Sequence, residues 1–177
     1  MKEGMGRRVV VMGVSSCGKT EVGQRLAAAL EGQFLDGDDY HSPESVTKMS
    51  RGEPLNDSDR AEWLLRLAGI IDAARVSGET LVVGCSALKR RYRDTLRGGD
   101  NALTFVHLAG CRELLLKRIE SRQAHFFKGE AMLDSQLATL EAPDNDEAVT
   151  VDIAGTLEQV VNDVILKLEK RTIHREG

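Results

Sequence analysis

Five short runs rich in β-branched and apolar residues punctuate the chain, at positions 9–14, 33–36, 80–86, 103–108 and 148–153. Between them, apolar residues recur at helical spacing. Val22, Leu26 and Leu30 form one such stripe, and Trp63, Leu67, Ile70 and Ala74 form another. These stripes read as core. Regular alternation of strand and helix requires crossover connections, and crossovers predict an α/β fold around a five-stranded parallel sheet. The last helix opens at Thr156, where Gln159 can close a capping box, and is expected to end near the "KLEKR" run at 167–171, whose cations suit a helix C-terminus. None of the three prolines falls inside these periodic stretches and no repeat or linker is visible, so residues 1–177 are expected to form one domain.

Composition narrows the function. With 177 residues, 41% hydrophobic and 29% charged, the chain can bury roughly 70% of its unfolded surface. A net charge of -4 argues against a nucleic-acid partner, which would need a net basic face. Cys17, Cys85 and Cys111 are odd in number and widely spaced, which suggests neither a disulfide framework nor a zinc site and fits a reducing cytoplasm. No apolar run approaches the roughly 18 residues of a membrane span, so no membrane partner is expected.

The chemistry starts at "GVSSCGKT". Gly13, Gly18, Lys19 and Thr20 satisfy G-x-x-x-x-G-K-[ST] directly after the first strand run and directly before a helical stripe. Backbone N–H groups of such a loop, added to the positive end of the helix dipole, make an anion site. Lys19 would add a mobile charge for the β and γ phosphates, and Thr20 a hydroxyl for magnesium. A lysine is otherwise unfavourable at a helix N-terminus. At the end of the second strand run, "FLDGDDYH" places Asp36 and Asp38 around a glycine. On an extended chain both carboxylates would point the same way, one to hold magnesium and the other to orient or deprotonate an acceptor hydroxyl. Basic residues follow in two groups. Lys89, Arg90, Arg91 and Arg93 lie after the third strand run, and Lys117, Arg118, Arg122, His125 and Lys128 lie after the fourth. Most read as solvated, Arg90 and Arg91 among them. Lys89, Arg118 and Arg122 are candidates to meet a transferring phosphoryl group, with Arg118 and Arg122 one helical turn apart. His125 is a further candidate, in a segment that could move.

Taken together, "MGVSSCGKT", "FLDGDDYH", "KMSRGEPLNDSDRAEWL", "CSALKRRYRD", "HFF" and "SQLATLE" resemble the gluconate kinases, P-loop enzymes that move the γ-phosphate of ATP to the 6-hydroxyl of D-gluconate. The resemblance runs from about position 10 to 153. It implies a three-layer nucleoside-monophosphate-kinase-like fold with strand order 2-3-1-4-5, a mobile lid near 123–130, and a homodimer. It also implies that Gly13, Val14, Ser15, Ser16, Cys17, Gly18, Lys19 and Thr20 cradle ATP and that Arg118 lies against the adenine. Thr20 and Asp36 would serve magnesium. Asp38, His41, Arg60, Lys89 and His125 would meet the acceptor or the moving phosphoryl group, and Arg122 would come down with His125 in the lid.

Four positions depart from the family pattern. Ser16 and Cys17 stand where the family prefers glycine and serine, so Ser16 must take up backbone angles that glycine adopts freely, or the turn must form with negative φ. Ser45 replaces an asparagine, and a proline usual before the tryptophan of "EWL" is absent. Two alternatives compete with a gluconate kinase. One is a kinase of another small hydroxylated acid such as shikimate. The other is a nucleotide-dependent switch, but the D-x-x-G match at 152–155 follows the "SAL" at 86–88, the reverse of the order a GTPase needs, and no N-K-x-D is present.

Overall fold

The computed structural model describes residues 5–122 and 126–175. Its centre is β1 (Arg8–Met12), a strand buried along its whole length. Because side chains alternate across a strand, Val9 and Val11 enter one apolar cluster while Val10 and Met12 enter another on the opposite face. That double burial is why the run is continuously apolar rather than alternating.

Around β1 the sheet runs β2-β3-β1-β4-β5, with β2 at Gln33–Asp36, β3 at Leu81–Gly84, β4 at Thr104–Ala109 and β5 at Ala148–Asp152. Every pairing is parallel. The expected order 2-3-1-4-5 is the observed one. Helices α1 (Lys19–Ala29), α5 (Arg112–Ser121), α6 (Phe126–Thr139) and α7 (Leu157–Arg175) cover one face through Val22, Leu26, Leu115, Leu133, Val164 and their neighbours. On the other face α3 (Asp57–Ser77) and α4 (Arg90–Arg97) pack Trp63, Leu67, Ile71, Tyr92 and Leu96. A short helix α2 (Pro43–Ser50) precedes α3. The chain leaves β1 toward one side of the sheet and returns as β4 on the other, so a crevice opens at the carboxyl end of β1, the place where ligands collect in such sheets.

Several boundaries differ from the expected ones. β1 stops at Met12 because Gly13, with φ of 148°, turns the chain out of the ladder; a Cβ there would lie 2.7 Å from Cys17 Sγ and 2.9 Å from Leu108 O. In α3 the stripe is wider than expected, since Leu64 and Ile71 are buried while Ile70 is only partly so. The Thr156–Gln159 capping box forms, yet α7 continues beyond the "KLEKR" run to Arg175.

Arg93 differs most from its neighbours. It is 1% exposed, and all five of its N–H groups are used: Nε and one terminal nitrogen grip Glu147 at 2.6 and 3.2 Å, and the rest reach the carbonyls of Ala87, Leu88 and Glu141. This guanidinium ties the segment after β3 to the segment after α6. Removing one partner of a buried pair strands the other charge, so Glu147→Gln should lower unfolding free energy by about 3 kcal/mol in a urea titration. A loss below about 1 kcal/mol would mean that solvent reaches the Arg93 charge.

Candidate active site

The loop from Gly13 to Gly18 connects β1 to α1, and its conformation rests on three residues with positive φ: Gly13, Ser16 at 66° and Gly18 at 97°. Ser16 therefore does adopt the left-handed backbone that glycine would take freely, a strain of about 1 kcal/mol. Surrounding contacts hold it there. One terminal nitrogen of Arg118, from α5, donates to the carbonyls of Ser16 and Cys17, both at 3.3 Å, and the other donates to Ile153 O at 3.0 Å. From α6, Gln136 Oε1 accepts the Ser15 N–H at 2.6 Å. Lys19 Nζ folds across the loop to Gly13 O and Val14 O at 3.0 and 3.1 Å.

Thr20, on the first turn of α1, donates its hydroxyl to Asp36 Oδ2 at 3.3 Å. The other oxygen of Asp36 accepts the Asp38 N–H at 3.0 Å and caps a single 3-10 turn, Gly37–Tyr40. The expectation that Asp36 and Asp38 lie on an extended chain with parallel carboxylates is therefore corrected: the turn sends Asp36 toward Thr20 and Asp38 into open space. The turn is set by close approach of Gly37 to β3, where a Cβ would meet Gly84 O at 2.5 Å, and by Trp63 Nε1 donating to Gly37 O at 2.7 Å. His41 stacks on the same Trp63, ring centroids 4.1 Å apart, and brings its Nε2 to 3.5 Å from Asp38 Oδ1. The imidazole beside it, with the charge of Lys19, holds the Asp38 carboxyl below its ordinary range. Among the described residues, the buried His41 Nδ1 has no partner.

These groups surround a cleft of about 390 Å³. Ser15, Ser16, Gly18, Lys19 and Thr20 of the loop line it together with Asp38, His41, Arg60, Trp63, Arg122, Met132 and Gln136. A second recess of about 210 Å³ lies behind the loop, lined by Cys17, Arg118, Ile153, Leu157 and Val160; Arg122 borders both spaces. Of the remaining predicted residues, Gly13 and Val14 shape the loop without lining either space, and Asp36 touches it through Thr20. Lys89 stands back from the cleft, its Nζ 3.6 Å from Asp57 Oδ1 and 5.7 Å from the Tyr92 ring centre. His125 lies outside the described residues.

Sequence reasoning missed Tyr92, Asp57 and Gln136. Arg60, Lys89 and Arg91 gather around the Tyr92 ring at 5.4 to 5.7 Å. The Tyr92 hydroxyl accepts from Arg60 at 3.3 Å and donates to Asp57 at 2.5 Å. That bond, followed by the Arg91 guanidinium, lowers the Asp57 carboxyl to about 2. Three cations against one carboxylate leave this rim positive. Arg91, expected to be merely solvated, is thus an ion-pair partner of Asp57 at 2.5 Å. Ser45, at the departing position, is buried and bonds to Ser42, the cap of α2.

Among the described residues no three His, Cys, Asp or Glu side chains gather into a metal cage. Magnesium needs none, because it keeps waters and takes one or two protein oxygens beside nucleotide phosphates. The adjoining oxygens of Thr20 and Asp36 fit that demand.

A family model described as shikimate kinase matches residues 15–169. The thermosensitive gluconokinase of Escherichia coli is 40% identical, aligned over 97% of this chain and 95% of its own. A gluconokinase of Gluconobacter oxydans is 46% identical over 81% and 80% of the two chains. The crystal structure of a gluconokinase from Sinorhizobium meliloti superposes with a TM-score of 0.88 at 39% identity, covering 98% of both chains. No described helix is long and apolar enough to cross a membrane. Matched over most of its length by that model and by relatives at this identity, the chain belongs to the shikimate kinase family of P-loop kinases and, within it, to the gluconokinases.

Proposed function

We propose that the chain transfers the γ-phosphate of ATP to the 6-hydroxyl of D-gluconate, giving 6-phosphogluconate and ADP. The observation that carries this reading is the meeting, in one cleft, of a phosphate loop and a histidine-held carboxylate beside a positive rim. A small hydroxylated anion fits between them. Its hydroxyl meets Asp38, and its carboxylate meets Arg60, with Lys89 behind.

In this reading the acceptor oxygen forms a bond to the γ-phosphorus as the bond from that phosphorus to the β-phosphate oxygen breaks, and ADP leaves. The hydroxyl proton passes to Asp38, which stays ionised at neutral pH because His41 and Lys19 favour its charged form. The transition state is loose, so Asp38 acts mainly by orienting the hydroxyl. Lys19 and the loop amides hold the β and γ oxygens, Arg118 flanks the recess that takes the adenine, and Arg122 reaches the moving group where cleft and recess meet. Magnesium held by Thr20 and Asp36 would neutralise charge on the phosphates when bound. The whole chain acting as one kinase domain, a homodimer, a cytoplasmic setting and a closing role for His125 belong to the same proposal. Light scattering on the purified chain tests the dimer.

The central test is ADP release with magnesium and ATP against gluconate, shikimate, other sugar acids and nucleoside monophosphates. Release dependent on gluconate is expected; release with shikimate alone would move the acceptor. If Arg122 meets only the transition state, Arg122→Ala lowers kcat by roughly a hundredfold with little change in KM. An unchanged kcat would return Arg122 to the solvent face.

A further inference from the structure

Gln136 lies 121 positions from Ser15 in sequence, yet its side-chain oxygen accepts the Ser15 N–H at 2.6 Å. A backbone N–H of a phosphate loop is an anion donor; here a neutral amide oxygen of α6 holds it. With the oxygen so engaged, the Nε2 end of the same amide carries two N–H donors that have no partner among the described residues, and Gln136 borders the cleft together with Lys19, Asp38 and Arg122.

The helix that carries Gln136 is pinned on both sides of it. Arg112, at the start of α5, grips Asp134 with two bonds of 2.7 and 2.9 Å and Glu130 with a third at 3.1 Å. Beyond the helix end, Glu141 donates its N–H to Leu88 O at 2.8 Å and accepts the Arg90 N–H at 3.1 Å, while Arg93 holds its carbonyl. Close approach of α6 to α5 is enforced at Gly129, where a Cβ would fall 2.7 Å from Ile119 Cγ2. A helix held this firmly keeps the Gln136 backbone beside the loop, and the bond to Ser15 orients its amide.

We propose that Gln136 is a further catalytic residue of the phosphoryl transfer, its oxygen setting the Ser15 side of the phosphate loop while its Nε2 donates to the group moving between nucleotide and acceptor. The inference rests on the kinase reaction proposed above. Donors aimed at developing charge in a pre-set site act chiefly on kcat, because they gain most in the transition state.

The test compares Gln136→Leu, which loses both functions of the amide, with Gln136→Glu, which keeps an oxygen for Ser15 but loses the donors. Steady-state kinetics with gluconate and ATP and the thermal midpoint are measured for each. Both variants should lose between about tenfold and a hundredfold in kcat, with both KM values and the thermal midpoint close to those of the parent chain. Parent-like kcat in Gln136→Glu would leave only a brace for Ser15 and overturn the donor role. Loss in Gln136→Glu alone would be charge repulsion, and loss tracking a lowered midpoint would be structural; either result also overturns it. Failure of the parent chain to use gluconate strikes the acceptor assignment instead, and the same comparison then proceeds with whichever acceptor the panel reveals.

Discussion

Lys19→Ala should lower kcat for gluconate phosphorylation by about a thousandfold or more, leaving a chain that still folds. Within the fold the ammonium bonds to the carbonyls of Gly13 and Val14 and, at 3.9 Å, weakly to Cys17 Sγ. Water can replace those bonds at this partly open loop, so their loss costs at most a few kcal/mol. In the transfer step the same ammonium faces charge that spreads over the phosphoryl oxygens, and no other lysine borders the cleft among the described residues. Lys19→Arg makes the point sharper. It keeps the charge but brings a larger planar group to a space shaped for a point charge, and should still lose more than about tenfold. Circular dichroism and thermal melting of both variants separate chemistry from folding. Turnover of Lys19→Ala near that of the parent chain would end the phosphate-cradle reading.

A second effect of the same substitution is testable by pH. The Lys19 charge is one of the influences that keep the Asp38 carboxyl low. Without it the folded-state pKa of Asp38 rises, so the acid limb of any residual activity should move to higher pH. An unmoved limb would mean that a different group titrates there.

The parts of this architecture that were legible in the sequence are those written in contiguous residues. The phosphate loop is one: its glycines and lysine are fixed by spacing, although the sequence left open whether Ser16 turns left-handed, which the fold settles at φ 66° with Arg118 on the loop carbonyls. The alternation of strands and helices is another, because each apolar stripe is a local property. What could not be read depends on pieces meeting from far apart. The direction of Asp38 follows from Gly37 pressing on Gly84 of β3, and no feature of "FLDGDDYH" alone announces that approach. Arg93 looks like Arg90 and Arg91 in sequence. Only its place one turn from Leu96, on the buried side of α4, marks it as a core cation. Tyr92 and Gln136 were inside recognised blocks, but as block members they carried no chemistry until the fold set one against three cations and the other against Ser15.

Asp38→Asn should lower kcat by roughly a hundredfold to ten-thousandfold while changing the KM for ATP little. The substitution keeps the size of the side chain and its hydrogen bond toward His41, so the Trp63–His41 stack should survive. What it removes is the negative charge that orients the acceptor hydroxyl and takes its proton. Asp36, not Asp38, stands beside Thr20, so the nucleotide-side oxygens remain in place. Equal losses in acceptor turnover and ATP affinity would therefore assign Asp38 to the magnesium side and overturn its acceptor role. Stability gives an independent check of sign. A carboxyl whose folded pKa is lowered contributes stability above its unfolded pKa, and that contribution fades as pH falls through the folded value. The parent chain should accordingly melt above Asp38→Asn at neutral pH, by a small margin because the Asp38 side chain is 70% exposed, and the gap should close in acid. A gap that widened in acid would mean that His41 and Lys19 do not favour the ionised form, and the carboxylate would lose its claim to sit ready for the acceptor.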